Sequence, residues 1–327
     1  VSILYTRNVR LRGARSPRAR ICGQGQGIGM VTEEIQTYKQ REDALILAHY
    51  YVPDEVQALA DYVGDSYYLA KAAAKAQKRT VVFCGVRFMG ESAKILNPAS
   101  RVLLPAADAD CPMAHMEKAA HIASLRANIR DLAVVCYINS DAKLKALSDV
   151  CVTSSNAVKI VSALPNRNIL FIPDENLGSF VRAQVPHKNF FFSGGYCPVH
   201  AAVSPQDIAA ARRAHPKAAV LMHPECVAEV RALADYVGST AQIIAAAREN
   251  SFDEFIVCTE PGVLYELKKA CPAKTFYPVS PVCADMKKIT PERVLACLKE
   301  GSGEVSVPED LAARARRPLE RMLEMGG

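Results

Sequence analysis

Short apolar runs alternate with helix-like segments along most of the chain. Residues 45–48 (Leu-Ile-Leu-Ala) form an apolar run of the length and composition typical of a buried strand. Residues 67–77, which follow, are rich in alanine and predict a helix. Because strands that alternate with helices form parallel sheets covered on both faces, the pattern predicts an α/β fold.

The alternating pattern contains an internal repeat. The segment 60–66 (Ala-Asp-Tyr-Val-Gly-Asp-Ser) matches 234–240 (Ala-Asp-Tyr-Val-Gly-Ser-Thr), and 148–154 is a weaker third copy. Each copy has an apolar run that ends in a polar ring seventeen residues before its final hydroxyl, and a second run eighteen residues after it. We therefore expect three α/β units, each with a small parallel sheet, around a pseudo-threefold axis. Their expected limits are 31–130, 131–216 and, with a C-terminal extension, 217–327.

Each copy carries a ring residue at a predicted strand end and a hydroxyl at a predicted helix start. The ring residues are His49, Tyr137 and His223, and the hydroxyls are Ser66, Ser154 and Thr240. Taken alone, each hydroxyl would be a helix N-cap, with Ser155 and Ser239 as neighbouring candidates. Strand ends and helix N-termini are also where α/β proteins bind anions, so the recurrence in phase predicts one shared anionic pocket.

Three cysteines recur with the same period. Cys111, Cys197 and Cys283 are 86 residues apart and lie in loop-like contexts. The chain has eleven cysteines and no C-x-x-C pair, which argues against a disulfide framework, a zinc ribbon or a close-spaced ferredoxin motif. Three thiolates favour an iron–sulfur cluster with one open iron that acts as a Lewis acid. Zinc on three cysteines is the alternative, and His115 and His200 are the histidines close enough in sequence to join it.

Charge and composition exclude several other classes. Six of the 40 basic residues lie within the first twenty positions, and the remaining 34 equal the 34 acidic residues, so nothing beyond that segment predicts nucleic-acid binding. No apolar run is long enough for a membrane span and no secretory signal is visible, so we expect a cytoplasmic protein. Residues 1–30 are expected to form a disordered Arg-rich tail. Glycines at 23, 25, 27 and 29 disfavour the amphipathic helix of a transit peptide.

The motifs in these repeats resemble those of the quinolinate synthase family, the iron–sulfur enzymes of de novo NAD biosynthesis. The similarity covers residues 45–290 and continues weakly to the C-terminus. Its motifs include His49-Tyr50-Tyr51, Cys111-Pro112-Met113, Tyr137-Ile138-Asn139, Gly195-Tyr196-Cys197, His223-Pro224-Glu225 and Cys283-Ala284-Asp285.

The resemblance implies a dehydrating condensation by an iron–sulfur-dependent transferase. Iminoaspartate and dihydroxyacetone phosphate would give quinolinate, phosphate and two waters, and an aspartate oxidase or dehydrogenase would supply the iminoaspartate. A [4Fe-4S] cluster would be held by Cys111, Cys197 and Cys283. Tyr51, Glu225 and His223 would be catalytic. The implied substrate-binding residues are His49, Ser66, Tyr137, Asn139, Ser154, His223, Glu225 and Thr240.

Two other classes of function remain open from the residues alone. A non-catalytic iron–sulfur sensor or carrier would need the cysteines but would leave the repeated rings and hydroxyls without a role. A triplicated metabolite-binding protein would use the pocket without a cluster, and its three loop cysteines would only contribute to packing.

Overall fold

The computed structural model describes residues 24–326 and contains one four-stranded parallel sheet in each of the three repeats. The α/β architecture with three repeated units is therefore confirmed. In the first unit the strand order is β2-β1-β3-β4. Its strands are β1 (Ala44–His49), β2 (Tyr62–Gly64), β3 (Thr80–Cys84) and β4 (Arg101–Leu103), and its helices are α1 (Gln24–Arg41), α2 (Asp54–Leu59), α3 (Ser66–Lys75), α4 (Arg87–Leu96) and α5 (Ala119–Asn128).

The second unit repeats this order as β6-β5-β7-β8. It comprises β5 (Leu132–Tyr137), α6 (Ala142–Ala146), β6 (Val150–Val152), α7 (Ala157–Ala163), β7 (Asn168–Ile172), α8 (Glu175–Gln184), β8 (Asn189–Phe192), α9 (Pro198–Ala201) and α10 (Pro205–Ala214).

The third unit has the order β10-β9-β11-β12 and is followed by two longer helices. It comprises β9 (Ala219–Met222), α11 (Ala228–Arg231), β10 (Tyr236–Val237), α12 (Thr240–Glu249), β11 (Glu254–Cys258), α13 (Leu264–Ala270) and β12 (Thr275–Pro278), and the chain continues with α14 (Pro291–Glu300) and α15 (Glu309–Gly326). Single 3-10 turns occur at Pro112–His115, Pro261–Val263 and Met286–Lys288.

A repeated aspartate fixes the register of the first two strands in every unit. The carboxylates of Asp61, Asp149 and Asp235 accept hydrogen bonds of 2.7–2.8 Å from backbone N–H groups of β1, β5 and β9. As a result His49 pairs with Gly64 and Tyr137 with Val152 in the same register. The Asp-Tyr-Val and Asp-Val-Cys segments of the repeat are thus structural, and they bring each strand end to an equivalent place.

The two C-terminal helices pack on the first two units. Helix α14 contacts α1 and β3, and α15 contacts α4, α6, α7 and β6. Leu319 and Met322 of α15 are fully buried in a core that the first two units share. The third unit instead has two smaller cores, one on each face of its sheet, because alternate residues of β9 point to opposite faces.

The predicted N-caps are right in one unit and wrong in two. Ser239 caps α12 in a capping box with Gln242. In the first unit Asp65 is the cap and Ser66 is already the first helical residue. In the second unit Asn156 occupies the cap position, so neither Ser154 nor Ser155 caps α7. The Asp65 side chain accepts from Tyr68 N, as favourable a cap as serine, whereas the Asn156 side chain makes no capping bond and accepts from Thr153 N instead.

Helix α1 begins at Gln24, so the boundary expected at residue 30 falls within this helix. The glycines at 25, 27 and 29 lower its intrinsic stability but do not end it. The rest of the expected tail, residues 1–23, lies outside the described residues. Within residues 24–326, no helix is both long and apolar enough to cross a membrane.

Candidate functional site

A cavity of about 330 Å³ is lined by residues from all three units. All twelve residues implied by the family resemblance lie on its wall: His49, Tyr51, Ser66, Cys111, Tyr137, Asn139, Ser154, Cys197, His223, Glu225, Thr240 and Cys283. His115, the alternative zinc ligand, does not. The volume is within the range of small-molecule sites.

The parallel strands bring the three ring residues to this cavity. His49 ends β1, Tyr137 ends β5, and His223 follows β9 directly. Burial lowers the pKa of both His49 and His223 to about 3, so both imidazoles are neutral at neutral pH. A neutral imidazole can accept a proton or a hydrogen bond from a ligand.

Glu225 is a buried carboxylate with three polar neighbours. The Tyr137 hydroxyl donates a 2.6 Å hydrogen bond to Glu225 Oε1, and His200 Nδ1 lies 2.7 Å from Oε2. His223 Nδ1 lies 3.8 Å from Oε2. Burial alone would raise the pKa of Glu225, but attraction to the two histidines and these hydrogen bonds lower it below its ordinary value. The site therefore holds a fixed negative charge.

A chain of hydrogen-bonding groups joins Tyr51 to Glu225. The Tyr51 hydroxyl lies 2.7 Å from Thr240 Oγ1 and 2.8 Å from Thr259 Oγ1. Thr259 Oγ1 in turn lies 3.0 Å from Nε2 of His200, whose Nδ1 faces Glu225. Burial raises the pKa of Tyr51 well above its ordinary value, so its phenol is protonated and can donate.

Thr259 was not predicted as a site residue. It follows β11 at the position that Pro173 and Gly85 occupy in the other units, so the repeat carried no signal for it. His200 was singled out only for its closeness in sequence to Cys197, and no role beyond zinc ligation was predicted for it. Both residues are buried, and the contacts of Thr259 with Tyr51 and of His200 with Glu225 join different units.

Further polar groups on the cavity wall are placed to contact a ligand. His223 stacks on His200 with ring centroids 4.7 Å apart, and its Nε2 lies 3.3 Å from Ser154 Oγ. Asn139 Oδ1 is buried and has no hydrogen-bond partner within the part of the chain that the structure describes. A buried acceptor without a partner is costly unless a ligand or water satisfies it.

The three loop cysteines reach the cavity one from each repeat. A carboxylate accepts a hydrogen bond from the backbone N–H of each cysteine. Asp110 Oδ1 accepts from Cys111, Asp174 Oδ2 from Cys197, and Glu260 Oε1 from Cys283. Burial raises the pKa of all three thiols, to about 12 for Cys111. The thiols therefore stay protonated until a metal displaces the proton.

Among the described residues, one group of donor atoms is compact enough to hold a single metal ion. The ligand atoms of Cys197, His200 and Glu225 all lie within 4.8 Å of one another. Cys111 and Cys283 do not belong to this group. In a cluster each thiolate binds a different iron. The three loop cysteines therefore need not lie as close to one another as the ligands of a single ion.

A buried carboxylate, neutral imidazoles and loop thiols in one cavity are typical of a metal-dependent enzyme. Comparison with known proteins agrees with this class and shows the family within it. The family model described as "Quinolinate synthetase A protein" matches residues 33–324, and the chain belongs to this family.

Relatives from several organisms are similar over almost their whole length. The quinolinate synthase of Caldicellulosiruptor bescii is 49% identical over 301 residues, which cover 91% of this chain and 99% of that protein. Those of Fusobacterium nucleatum and Methanoregula boonei are each 47% identical and cover 90% of this chain, with 99% and 98% of their own lengths matched. The chain is therefore an enzyme of the quinolinate synthase type, acts on small molecules, and belongs to a family that implies a metal cofactor.

Proposed function

We propose that the enzyme condenses iminoaspartate with dihydroxyacetone phosphate to give quinolinate, phosphate and two waters in the de novo synthesis of NAD. The observation that carries this proposal is the single cavity on which all twelve residues implied by the family resemblance meet. Residues separated by more than two hundred positions in sequence line the same space, which is what a reaction between two small substrates requires.

The donor set on the cavity wall fits a [4Fe-4S] cluster. Cys111, Cys197 and Cys283 would hold it, and within residues 24–326 no fourth cysteine lines the cavity, so one iron would lack a protein thiolate. When bound, the cluster supplies a Lewis acid that polarises a substrate oxygen or nitrogen. The carboxylates on the cysteine backbones would fix the three loops before the cofactor arrives.

The substrates bring a phosphate and two carboxylates, and the cavity offers matching groups. Ser66 and Thr240 are the first residues of α3 and α12, where backbone N–H groups and the helix dipole favour an anion. Ser154 Oγ and the unpartnered Asn139 Oδ1 would bind the remaining hydroxyl or N–H groups. His49, Tyr137 and the other repeat residues would complete the substrate contacts.

Three residues in the cavity have protonation states suited to the proton transfers of the condensation and the dehydrations. Glu225 is ionised and His223 is neutral, so both can accept a proton, whereas Tyr51 is protonated and can donate one. A well-placed acid or base accelerates such steps by about 10²–10⁴-fold. The hydrogen-bonded link through Thr259 and His200 would return protons between the two ends of the site.

The supply of substrate also constrains the function. An imine such as iminoaspartate hydrolyses in water, so an enzyme that oxidises aspartate, an oxidase or a dehydrogenase, must deliver it close to the site.

The proposal is tested by anaerobic incubation of the iron-loaded protein with dihydroxyacetone phosphate, aspartate, an aspartate oxidase and an electron acceptor that replaces oxygen for the oxidase. We expect quinolinate and phosphate in equal amounts, dependent on both substrates, by mass spectrometry and phosphate assay. Omission of the oxidase is the matched control. A protein that holds its cluster but forms no quinolinate would be a sensor or carrier, and the proposal would be rejected.

A further inference from the structure

Three donor atoms of different chemistry meet at one corner of the cavity. His200 Nδ1 lies 3.2 Å from Cys197 Sγ and 2.7 Å from Glu225 Oε2, and the three atoms lie within 4.8 Å of one another. His200 and Glu225 are 2% and 3% exposed, so solvent scarcely reaches these donors except through the cavity. A thiolate, an imidazole and a carboxylate are the ligands that zinc takes in proteins.

Two of the three donors are oriented by a partner on their far side, and the third is held through its backbone. Nε2 of His200 lies 3.0 Å from Thr259 Oγ1, and Glu225 Oε1 accepts from the Tyr137 hydroxyl. The backbone N–H of Cys197 donates to Asp174 Oδ2 at 3.1 Å. Such outer hydrogen bonds orient metal ligands, set the tautomer of a histidine and strengthen binding by about 10–100-fold.

We propose that the protein without its cluster binds one zinc-like divalent cation through Cys197 Sγ, His200 Nδ1 and Glu225 Oε2. The Cys197 thiol releases one proton to solvent on binding. The proton that His200 Nδ1 donates to Glu225 before the ion binds is transferred to Nε2, where Thr259 Oγ1 accepts it, so that Nδ1 can bind the ion; the carboxylate is already ionised. The fourth position of a tetrahedral ion faces the cavity and is filled by water.

This cation competes with assembly of the cluster because both need the Cys197 thiolate. The competition rests on the proposed function, whereas the cation site itself depends only on the three donors. Zinc would thus block maturation of the empty protein and would have no effect on the loaded one, in which Cys197 is already occupied.

Cobalt(II) is the probe for the site, because it follows zinc in coordination and gives thiolate charge-transfer and ligand-field bands. We expect one equivalent to bind to the anaerobic, chelator-treated full chain and zinc to displace it. Cys197→Ser and His200→Ala should weaken binding at least about 10-fold. His187→Ala, at an exposed histidine of the same unit, is the matched control, and circular dichroism checks that each variant folds.

Cys111 and Cys283 distinguish the proposed site from a site made of three thiolates, because only the three-thiolate site would use them. Cys111→Ser and Cys283→Ser should leave the cobalt spectrum and affinity unchanged. Equal losses in these two variants would show a three-thiolate site and overturn the proposal, as would the absence of one-to-one binding in the parent.

A second arm tests the competition separately. The zinc-loaded and zinc-free proteins are given iron and sulfide, and we expect the zinc-loaded protein to take up less iron until a chelator removes the zinc. Full iron uptake with zinc retained would overturn the competition. Failure of the zinc-free protein to take up iron would count against the proposed cluster and not against the cation site.

Discussion

At the scale of single residues, the site depends on how burial and neighbours set each protonation state. Glu225 stays ionised because Tyr137 and His200 donate to it, while burial keeps His49 and His223 neutral and Tyr51 protonated. Groups with separated pKa values in one cavity can serve as acid and base in the same reaction.

Glu225→Gln should retain the metal cofactor and lose most of the turnover. The amide keeps the shape of the side chain but removes the negative charge and the proton acceptor. We expect kcat for quinolinate formation to fall by about 10²–10⁴-fold at unchanged iron content. Glu249→Gln, at an exposed glutamate, is the control, and full activity in Glu225→Gln would remove this residue from the mechanism.

His49 should make the empty protein less stable in acid. Its pKa is about 3 in the folded chain and about 6.5 in the unfolded chain, so the unfolded state binds more protons between these values. Stability is then lost as pH falls from about 6.5, by up to about 2 kcal/mol between pH 7 and pH 5. Urea unfolding of the parent and His49→Asn at both pH values measures this loss, which should be smaller in the variant. An equal loss in both would refute the assignment.

The sequence predicted the site residues that recur or lie in motifs, and missed those that do neither. His49, Ser66 and their equivalents were found because their spacing repeats. Thr259 has no counterpart in the other units, and the contact of His200 with Glu225 joins two units, so no spacing could predict either role.

At the scale of elements, the repeated aspartates account for the equivalence of the three sheets. Each ties a backbone N–H of the first strand to the start of the second, which fixes the register that delivers the ring residues to the cavity. The helix starts were harder to predict, because Asp65 and Asn156 compete with the neighbouring serines for the cap position.

Loss of one such aspartate should destabilise its unit. Asp235 Oδ2 accepts from Val220 N at 2.7 Å and from Arg212 at 2.9 Å. Asp235→Ala leaves the backbone N–H without this partner, and we expect a loss of about 1–3 kcal/mol in the free energy of unfolding. Urea titration against Asp253→Ala, at an exposed aspartate of the same unit, measures it; equal stability of the two variants would contradict this role.

At the scale of the whole molecule, the C-terminal extension joins the first two units. The repeat predicted three sheets, and α14 begins 86 residues after α10, as α10 begins 86 residues after α5, but the repeat gave no information about α15. An amphipathic pattern shows that a helix buries one face, but not which surface covers it. In the structure α15 lies on α4, α6, α7 and β6, far along the chain from its own sequence neighbours.

Truncation of a buried side chain in α15 should therefore destabilise the fold although the helix is terminal. Leu319 is fully buried in the core of the first two units. Leu319→Ala should lower the free energy of unfolding by about 2–5 kcal/mol, through lost burial and a residual cavity. Glu320→Ala, at the adjacent exposed position, should change it little. Similar stability of the two variants would place α15 outside the cooperative fold.

The central claim is that one cysteine from each unit holds the cofactor of the enzyme. The most direct test is the iron and sulfide content of the full chain after anaerobic reconstitution, with Cys271→Ala as a control at a buried cysteine outside the cavity. We predict about four irons and four sulfides per chain in the parent and control, and loss of both in Cys111→Ala, Cys197→Ala and Cys283→Ala. A parent that takes up no iron, or any of these three variants with a full complement, would contradict the claim.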